Sequence, residues 1–524
     1  MNRAKHGKWL ALTAALLGWM FDGLEMGLFP LVARPAINDL LGTTDDAKVN
    51  LWFNVATACF LIGAATGGVV FGWLGDRLGR VRAMTLSVMT YALFSGLCGF
   101  ATAPQQIAVL RFISALGMGG EWALGVSLVM EIWPDRSRAF LAGLIGAAAN
   151  LGYMLVAVLG MTLSMMLPTI EDGLRSLGVP SDTAATLVSH SGWRLLMMMG
   201  AAPALLTFFI RLFVPESERW QHEKGRGTTT HWQGPDLVGV AIGGLAALGM
   251  VWLWAEDFSP YVRVPGSLLA VVVITAGFLF PVLRYLQRAG GDLNTVGDAW
   301  PTLRLMLLGA CIGGVPLLAT WASIQRAPIW ADQLADQEAK AKTRTALIAA
   351  VSLPAATAGA GLEPALFPKE DAKSWTQFWS ALGATLATLL GAMLGKWLNR
   401  RAAYCVLCIS ALAACLVFFQ GNDRIGPLFL ATAFLAGGMS AAFYGCLPLY
   451  LPELFRTQVR ATGQGFSFNF GRILAAIGVL QMGNLMKLFD NSIPKACSIM
   501  SLIYLVGLGV IWLAPETKGK PLPQ

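Results

Sequence analysis

Apolar runs of about twenty residues follow one another almost without pause, and few chains are so constrained by a single feature. They fall near residues 9–34, 51–74, 83–103, 106–131, 139–167, 193–214, 236–255, 266–286, 302–322, 376–398, 402–420, 427–451, 461–486 and 495–514, about fourteen in all. Only 13% of the residues are charged against 56% hydrophobic. A soluble core could not hide so much apolar surface, so the expected class is an all-α protein with the lipid bilayer as its solvent.

The net charge of +8 does not point to nucleic acid, because the cations sit in short clusters between apolar runs. The clusters include Arg77, Arg80 and Arg82, Arg136 and Arg138, Lys396, Arg400 and Arg401, Arg456 and Arg460, and Lys518 with Lys520, all at one set of alternate loops. The positive-inside rule then makes that side, and both termini, cytoplasmic in a cell (inner or plasma) membrane. The basic start before Trp9 imitates a signal peptide, but the run is long, carries acids and lacks a small-residue cleavage site, so it reads as a retained first span. The eight cysteines lie mostly inside apolar runs and read as small hydrophobic residues. Cys405 and Cys408 form an isolated CxxC without a second pair, and no metal site is expected.

Short stretches recur in the two halves in the same order. Glu131–Arg138 (EIWPDRSR) is echoed by Glu453–Arg460 (ELFRTQVR), each holding Glu and Arg seven apart. Gly72–Arg80 is echoed by Gly395–Arg401, and Pro215-Glu-Ser by Pro515-Glu-Thr. The expected organisation is an N-terminal six-helix half (1–214), a linker with two extra spans (215–301), and a C-terminal six-helix half (302–524). The stretch 323–375 is expected as one long exterior loop, its first half a possible surface helix and the whole a cap or spacer.

Ionisable residues inside a span are expensive and so mark function. The first span holds Asp22 and Glu25, three apart and therefore on nearly one face. Counted at 1.5 Å per residue, Asp22 lies about 20 Å from the inner end of its helix, and Arg111 lies about 8 Å from the outer end of the fourth, at nearly equal depth. The two are expected to pair. Asp22 then takes the coupling proton and frees Arg111, which with Glu25 helps to hold substrate; the competing reading is a permanent structural pair. Glu121, deeper in the fourth span among Gly117, Gly119 and Gly120, reads either as a coupling or gating residue or as a structural hydrogen-bonding group. Unusual polar residues elsewhere supply the candidate pocket: Asn150 and Tyr153 on the fifth span, Trp321 and Gln325 at the outer end of the seventh core span, Tyr444, Asn469 and Arg472. Arg472 suits a carboxylate by its planar fork, unless it only reaches toward the inner surface.

GWLGDRLGR (72–80), RFISALGMGGEW (111–122), EIWPDRSR, PESERW (215–220) and PETKG (515–519) resemble signature stretches of the major facilitator superfamily, near its sugar-porter and metabolite:proton symporter branches. FDGLE (21–25) is similar to the DGxD of aromatic-acid:proton symporters and sialic acid permeases, the latter with two extra central helices. The resemblance implies a major facilitator fold of about fourteen helices, alternating access, proton coupling without another cofactor, and a cytoplasmic gate formed by Asp76, Arg77, Arg80, Glu131, Arg138, Glu453 and Arg460. Several modest ion pairs at a water boundary can bias such a rocking motion without trapping it. The paired Gln and the Trp of sugar porters are missing from the seventh and tenth core spans, which turns the expectation from a neutral sugar toward an organic anion such as a sialic acid, another sugar acid or an aromatic acid. A neutral-solute carrier, an exporter and a non-transporting sensor remain the alternatives. A hydrolytic or metal pattern is absent, so an enzyme is not expected. A monomer is the default.

Overall fold

The computed structural model describes residues 2–43, 45–133, 135–205, 214–256, 258–289, 299–352 and 372–523. Twelve helices among them are long and apolar enough to cross a membrane. In the first half these begin as α1 (Asn2–Leu41), α2 (Asp46–Leu78), α3 (Arg80–Leu97), α4 (Pro104–Ile132) and α5 (Asp135–Ser176). Then comes α6 (Ser181–Met199), with left-handed backbone at His190, Ser191 and Gly192 just before the expected sixth span. That span's second part, 206–213, lies outside the described residues. A short surface helix α7 (Glu218–Gly225) leads to the inserted pair α8 (Leu237–Ala255) and α9 (Pro260–Ala289).

The second half runs through α10 (Ala299–Ala322), α11 (Ala327–Ser352), α12 (Ala372–Trp397), α13 (Arg400–Gln420), α14 (Pro427–Ala441), α15 (Phe443–Tyr450), α16 (Arg460–Leu488), α17 (Ile493–Ser501) and α18 (Ile503–Val510). The breaks between α14 and α15 and between α17 and α18 interrupt single spans, and for these two the expected boundaries hold to within a few residues, whereas α1 and α5 run seven and nine residues past their expected ends at 34 and 167. α16 is long enough to span but carries Gln464, Asn469 and Arg472, which dilute its apolar character.

The halves meet along two seams, α2 against α16 and α5 against α12. Within the first half, α1 crosses α5 so closely that a Cβ on Gly23 would collide with the Ala149 carbonyl, and one on Gly152 with that of Met20. The inserted pair packs on itself and leans α8 on α2, with Phe278 of α9 edge-on to Phe470 of α16. Val238, Ile242, Leu245, Leu268 and Leu269 point outward from the pair, as lipid contact requires.

One expected feature is different. The stretch after residue 322 is not loop at its start: a 3-10 turn (Ile324–Arg326) joins α10 to α11. The beginning of α11 is buried, not a surface helix, because Trp330 is set among Phe418, Phe419 and Phe429. Residues 353–371 of the expected exterior loop lie outside the described residues.

Candidate functional site: a central cavity closed by two sets of contacts

Between the halves lies a cavity with an empty volume of about 1040 Å³, counting the part open to solvent. Of the sequence candidates, Asp22, Asn150, Tyr153, Trp321, Gln325, Tyr444 and Arg472 line it. The reading of the sequence did not single out Trp19, Trp122, Thr320, Gln377, Ser380 and Phe468, which line it too. Most of these are apolar or small hydroxyl residues that carry no signal of their own; Gln377, wholly buried on α12, was the one legible as a polar residue inside a span.

Asp22 is nine-tenths buried and one of its carboxylate oxygens lacks a partner. Arg472, 4% exposed, comes from the opposite half; its Nε and Nη1 have no partner, and it exerts an attraction on Asp22 across the cavity. The Glu121 carboxyl abuts Asp22 and the Tyr91 hydroxyl behind the cavity wall, lying over Gly18 one turn before Asp22. Asn150 gives its amide N–H to its own helix at Gly146 (2.8 Å), and so keeps its amide oxygen for the cavity. Tyr444 donates to Thr320 (3.2 Å) and stands edge-on to Phe468.

Three site expectations are corrected. Arg111 pairs with Glu25, not with Asp22: its Nη1 is 3.4 Å from the Glu25 carboxylate, which also accepts from Ser95 (3.1 Å) and Ser114 (3.4 Å). The guanidinium is sandwiched by Phe29 and Phe60, so neither Arg111 nor Glu25 reaches the cavity. Asn469 likewise does not line it; its amide binds the Gly119 carbonyl (3.0 Å) and ties α16 to α4. Finally, indoles and an amide from other spans, Trp19, Trp122 and Gln377, join Asn150, Trp321 and Gln325 at the cavity. The argument against a neutral sugar drawn from their absence therefore falls.

At the end bearing both termini the halves are tied along α16. Asp76 accepts from the Thr462 backbone (3.0 Å) and hydroxyl (2.5 Å) while also holding Arg80 (2.5 Å). Gln464 donates to Ala123 (2.7 Å) and Ser127 (2.5 Å), and Trp122 stacks on Phe468 at 3.8 Å, nearly parallel. The Glu and Arg residues of the two echoed stretches are arranged differently in the two halves. Arg460 faces Glu131 of the other half (3.6 Å), while Glu453 takes Arg400 in a two-pronged pair (2.7 and 3.0 Å). Arg138 is buried, whereas Arg77 is exposed over the Trp73 ring and takes no part in these ties.

The sequence echoes have matching geometry. Ser217 donates to Glu131 (2.6 Å), as Thr517 does to Glu453 (2.5 Å). Glu216 receives the first amides of α3, at Arg80 (2.9 Å) and Val81 (3.2 Å), and Glu516 receives those of α13, at Arg400 (3.1 Å) and Arg401 (3.3 Å). Gly79 (φ 112°) is required at the first of these turns, since a Cβ there would strike Glu216. Burial outweighs the donors at Glu216 and raises its pKa. At the more exposed Glu516 burial acts the same way, but the amides of Lys518, Arg400 and Arg401 together win and lower it.

At the opposite end, Tyr153 donates to Gln325 (2.6 Å), Gln377 to the Tyr153 carbonyl (3.1 Å), and Arg326 to Asn54 (2.6 Å). Tyr153 and Gln325 thus roof the cavity by bonding to each other.

Residues 10–231 match the family model of sugar (and other) transporters. A putative metabolite transport protein of Haemophilus influenzae is 24% identical with 99% of each chain covered. The sialic acid transporter NanX of Escherichia coli is 29% identical over 42% of this chain and 47% of its own. Among solved structures, the proton:xylose symporter XylE bound to 6-bromo-6-deoxy-D-glucose superposes over 98% of both chains with a TM-score of 0.63 at 14% identity. Two helical halves joined by a linker, a cavity between them and a repeated set of charged loops agree with these matches, which together support a multi-pass membrane transporter of the major facilitator superfamily, of the sugar-porter and metabolite class.

Proposed function

We propose that the chain is a proton-coupled importer of a small organic anion. The reading is carried by one observation: an acid and an arginine from opposite halves, Asp22 and Arg472, line one buried cavity. Ionised Asp22 attracts Arg472 and competes with substrate for it. A proton on Asp22, in contact with Glu121, cancels that attraction and leaves the fork of Arg472 to a substrate carboxylate. The loaded cavity then carries one proton and one anion, with no net change in its charge, which favours rearrangement of the halves over charge left stranded in the membrane. The substrate class is supported by analogy: NanX is named for sialic acid, and the indole faces and amides here suit a carboxylate that also bears hydroxyl or amide groups.

The face bearing the termini is taken as cytoplasmic, in a cell membrane, on the distribution of Lys and Arg. Its ties between Asp76, Thr462, Glu131 and Arg460 then form the inner gate, which breaks as substrate leaves. A second reading, a neutral-sugar carrier, is favoured by the same indoles and amides. Proteoliposomes with an imposed pH gradient separate the two when loaded with N-acetylneuraminate, nicotinate or D-xylose. Coupled anion uptake predicts accumulation of an acid that Asp22→Asn abolishes while exchange persists, and Arg472→Gln abolishes with exchange. Xylose flux indifferent to Arg472 would establish the neutral carrier instead.

A further inference from the structure

Arg326 is a buried charge beside the cavity that has no counter-ion in range among the described residues. It closes the 3-10 turn between α10 and α11 and is 4% exposed. Its Nη2 donates to the neutral amide of Asn54 (2.6 Å), its guanidinium lies 5.7 Å from the Phe53 ring, and its Nε has no partner. No carboxylate among the described residues lies within ion-pair range of it. Arg80, Arg111, Arg400 and Arg460, also buried, each face an acid.

An arginine cannot shed its proton in a protein, so the charge persists, and a buried charge without a counter-ion is strongly unfavourable. Its neighbours Ile324, Gln325 and Pro328 line the cavity at the end away from the termini, and Arg326 itself stands just behind that wall. The free Nε and the Nη2, which donates to a neutral amide and not to an acid, form one edge of the guanidinium, the edge that grips a carboxylate with two parallel hydrogen bonds. Asn54 belongs to α2 in the other half. When the halves part at this end, the neutral amide withdraws and the edge is exposed.

We propose that Arg326 is an outer anion station: it takes the carboxylate of an entering substrate in place of Asn54, before that carboxylate reaches Arg472. This rests on the anionic-substrate reading and adds a second binding residue to it. The rival is a plain latch, in which the Arg326–Asn54 bond only holds the halves together. The two differ in sign at Asn54, because removing the amide frees the station but breaks the latch.

The test measures initial uptake of N-acetylneuraminate, nicotinate and D-xylose into proteoliposomes by the full chain and by Arg326→Gln, Arg326→Lys and Asn54→Ala. Unfolding temperature in detergent identifies any variant that fails to fold. The station predicts that Arg326→Gln raises KM for a transported acid about tenfold with kcat within twofold. Arg326→Lys should recover part of the loss, Asn54→Ala should leave KM equal or lower, and any xylose flux should be unmoved. Equal effects of Arg326→Gln and Asn54→Ala, equal effects on acid and sugar, or no change in KM would each overturn it. A wild type that takes up acids, loses this in Arg472→Gln and keeps its KM unchanged in Arg326→Gln would sink the station alone. One that takes up no acid would sink the underlying reading with it. Should Arg326→Gln not fold, Arg326→Lys decides: the station requires a raised KM for acids from the lost fork, and an unchanged one overturns it.

Discussion

Three residues turn an α-helix by about 300°, so Asp22 and Glu25 differ in direction by about 60°. That angle separates two fates. Asp22 faces the cavity, while Glu25 turns into the first half, toward Ser95, Ser114 and Arg111. Removing one partner of a buried pair strands the other charge, at about 3–5 kcal/mol, whereas replacing both by apolar groups of similar volume is often neutral. Glu25→Gln should therefore lower the unfolding temperature of the purified protein markedly, and Glu25→Leu with Arg111→Leu should restore most of it and keep transport. Recovered stability with lost transport would instead give Arg111 the substrate role expected from the sequence. Depth was readable in the sequence to within one helical turn, which suffices to bring Arg111 to the first span but not to choose between two acids 60° apart. That choice depends on the rotation of α1, set by contacts such as Gly23 on Ala149 that no local pattern announces.

At the scale of elements, membrane helices were legible because the bilayer demands twenty apolar residues, and the landmarks at their ends recur in register. Polar ends proved legible too: the echoed Pro-Glu-Ser and Pro-Glu-Thr perform the same bonds in each half. Cross-half pairing was not, since the crossing of Arg460 to Glu131 and the stacking of Trp122 on Phe468 depend on how two distant helices meet. That stack lies between the cavity and the basic end, and each ring adjoins a coupling candidate, Trp122 next to Glu121 and Phe468 one turn before Arg472. Aromatic pairs contribute about 0.5–1.5 kcal/mol beyond the area that they bury. Trp122→Ala should accordingly raise proton leak without substrate severalfold, and Trp122→Phe should restore tight coupling. A pH-sensitive dye inside the vesicles reads the leak, and unchanged leak in Trp122→Ala would remove the stack from the gate.

For the whole molecule, the two ends of the cavity are tied unequally. Near the termini α16 contributes a backbone amide, two hydroxyl or amide groups, an arginine and a ring to α2 and α4. At the other end Tyr153, Gln325, Gln377, Asn54 and Arg326 make three hydrogen bonds. An equilibrium between arrangements open at either end is biased by the difference in those ties, not by their sum. Asp76 is the natural point to shift it, because its carboxylate holds Thr462 of the opposite half by two hydrogen bonds and Arg80 of its own. Hydrogen bonds to a charged group contribute about 1.5–3 kcal/mol net, so losing the charge at Asp76 changes the ratio of the two arrangements about tenfold or more. In Asp76→Asn, amide hydrogen exchange should therefore rise through residues 460–469 of α16, which the tie covers. Exchange in α13, away from the seam, should stay as in the wild type, and a rise in both would mean general loosening, not a shift between arrangements.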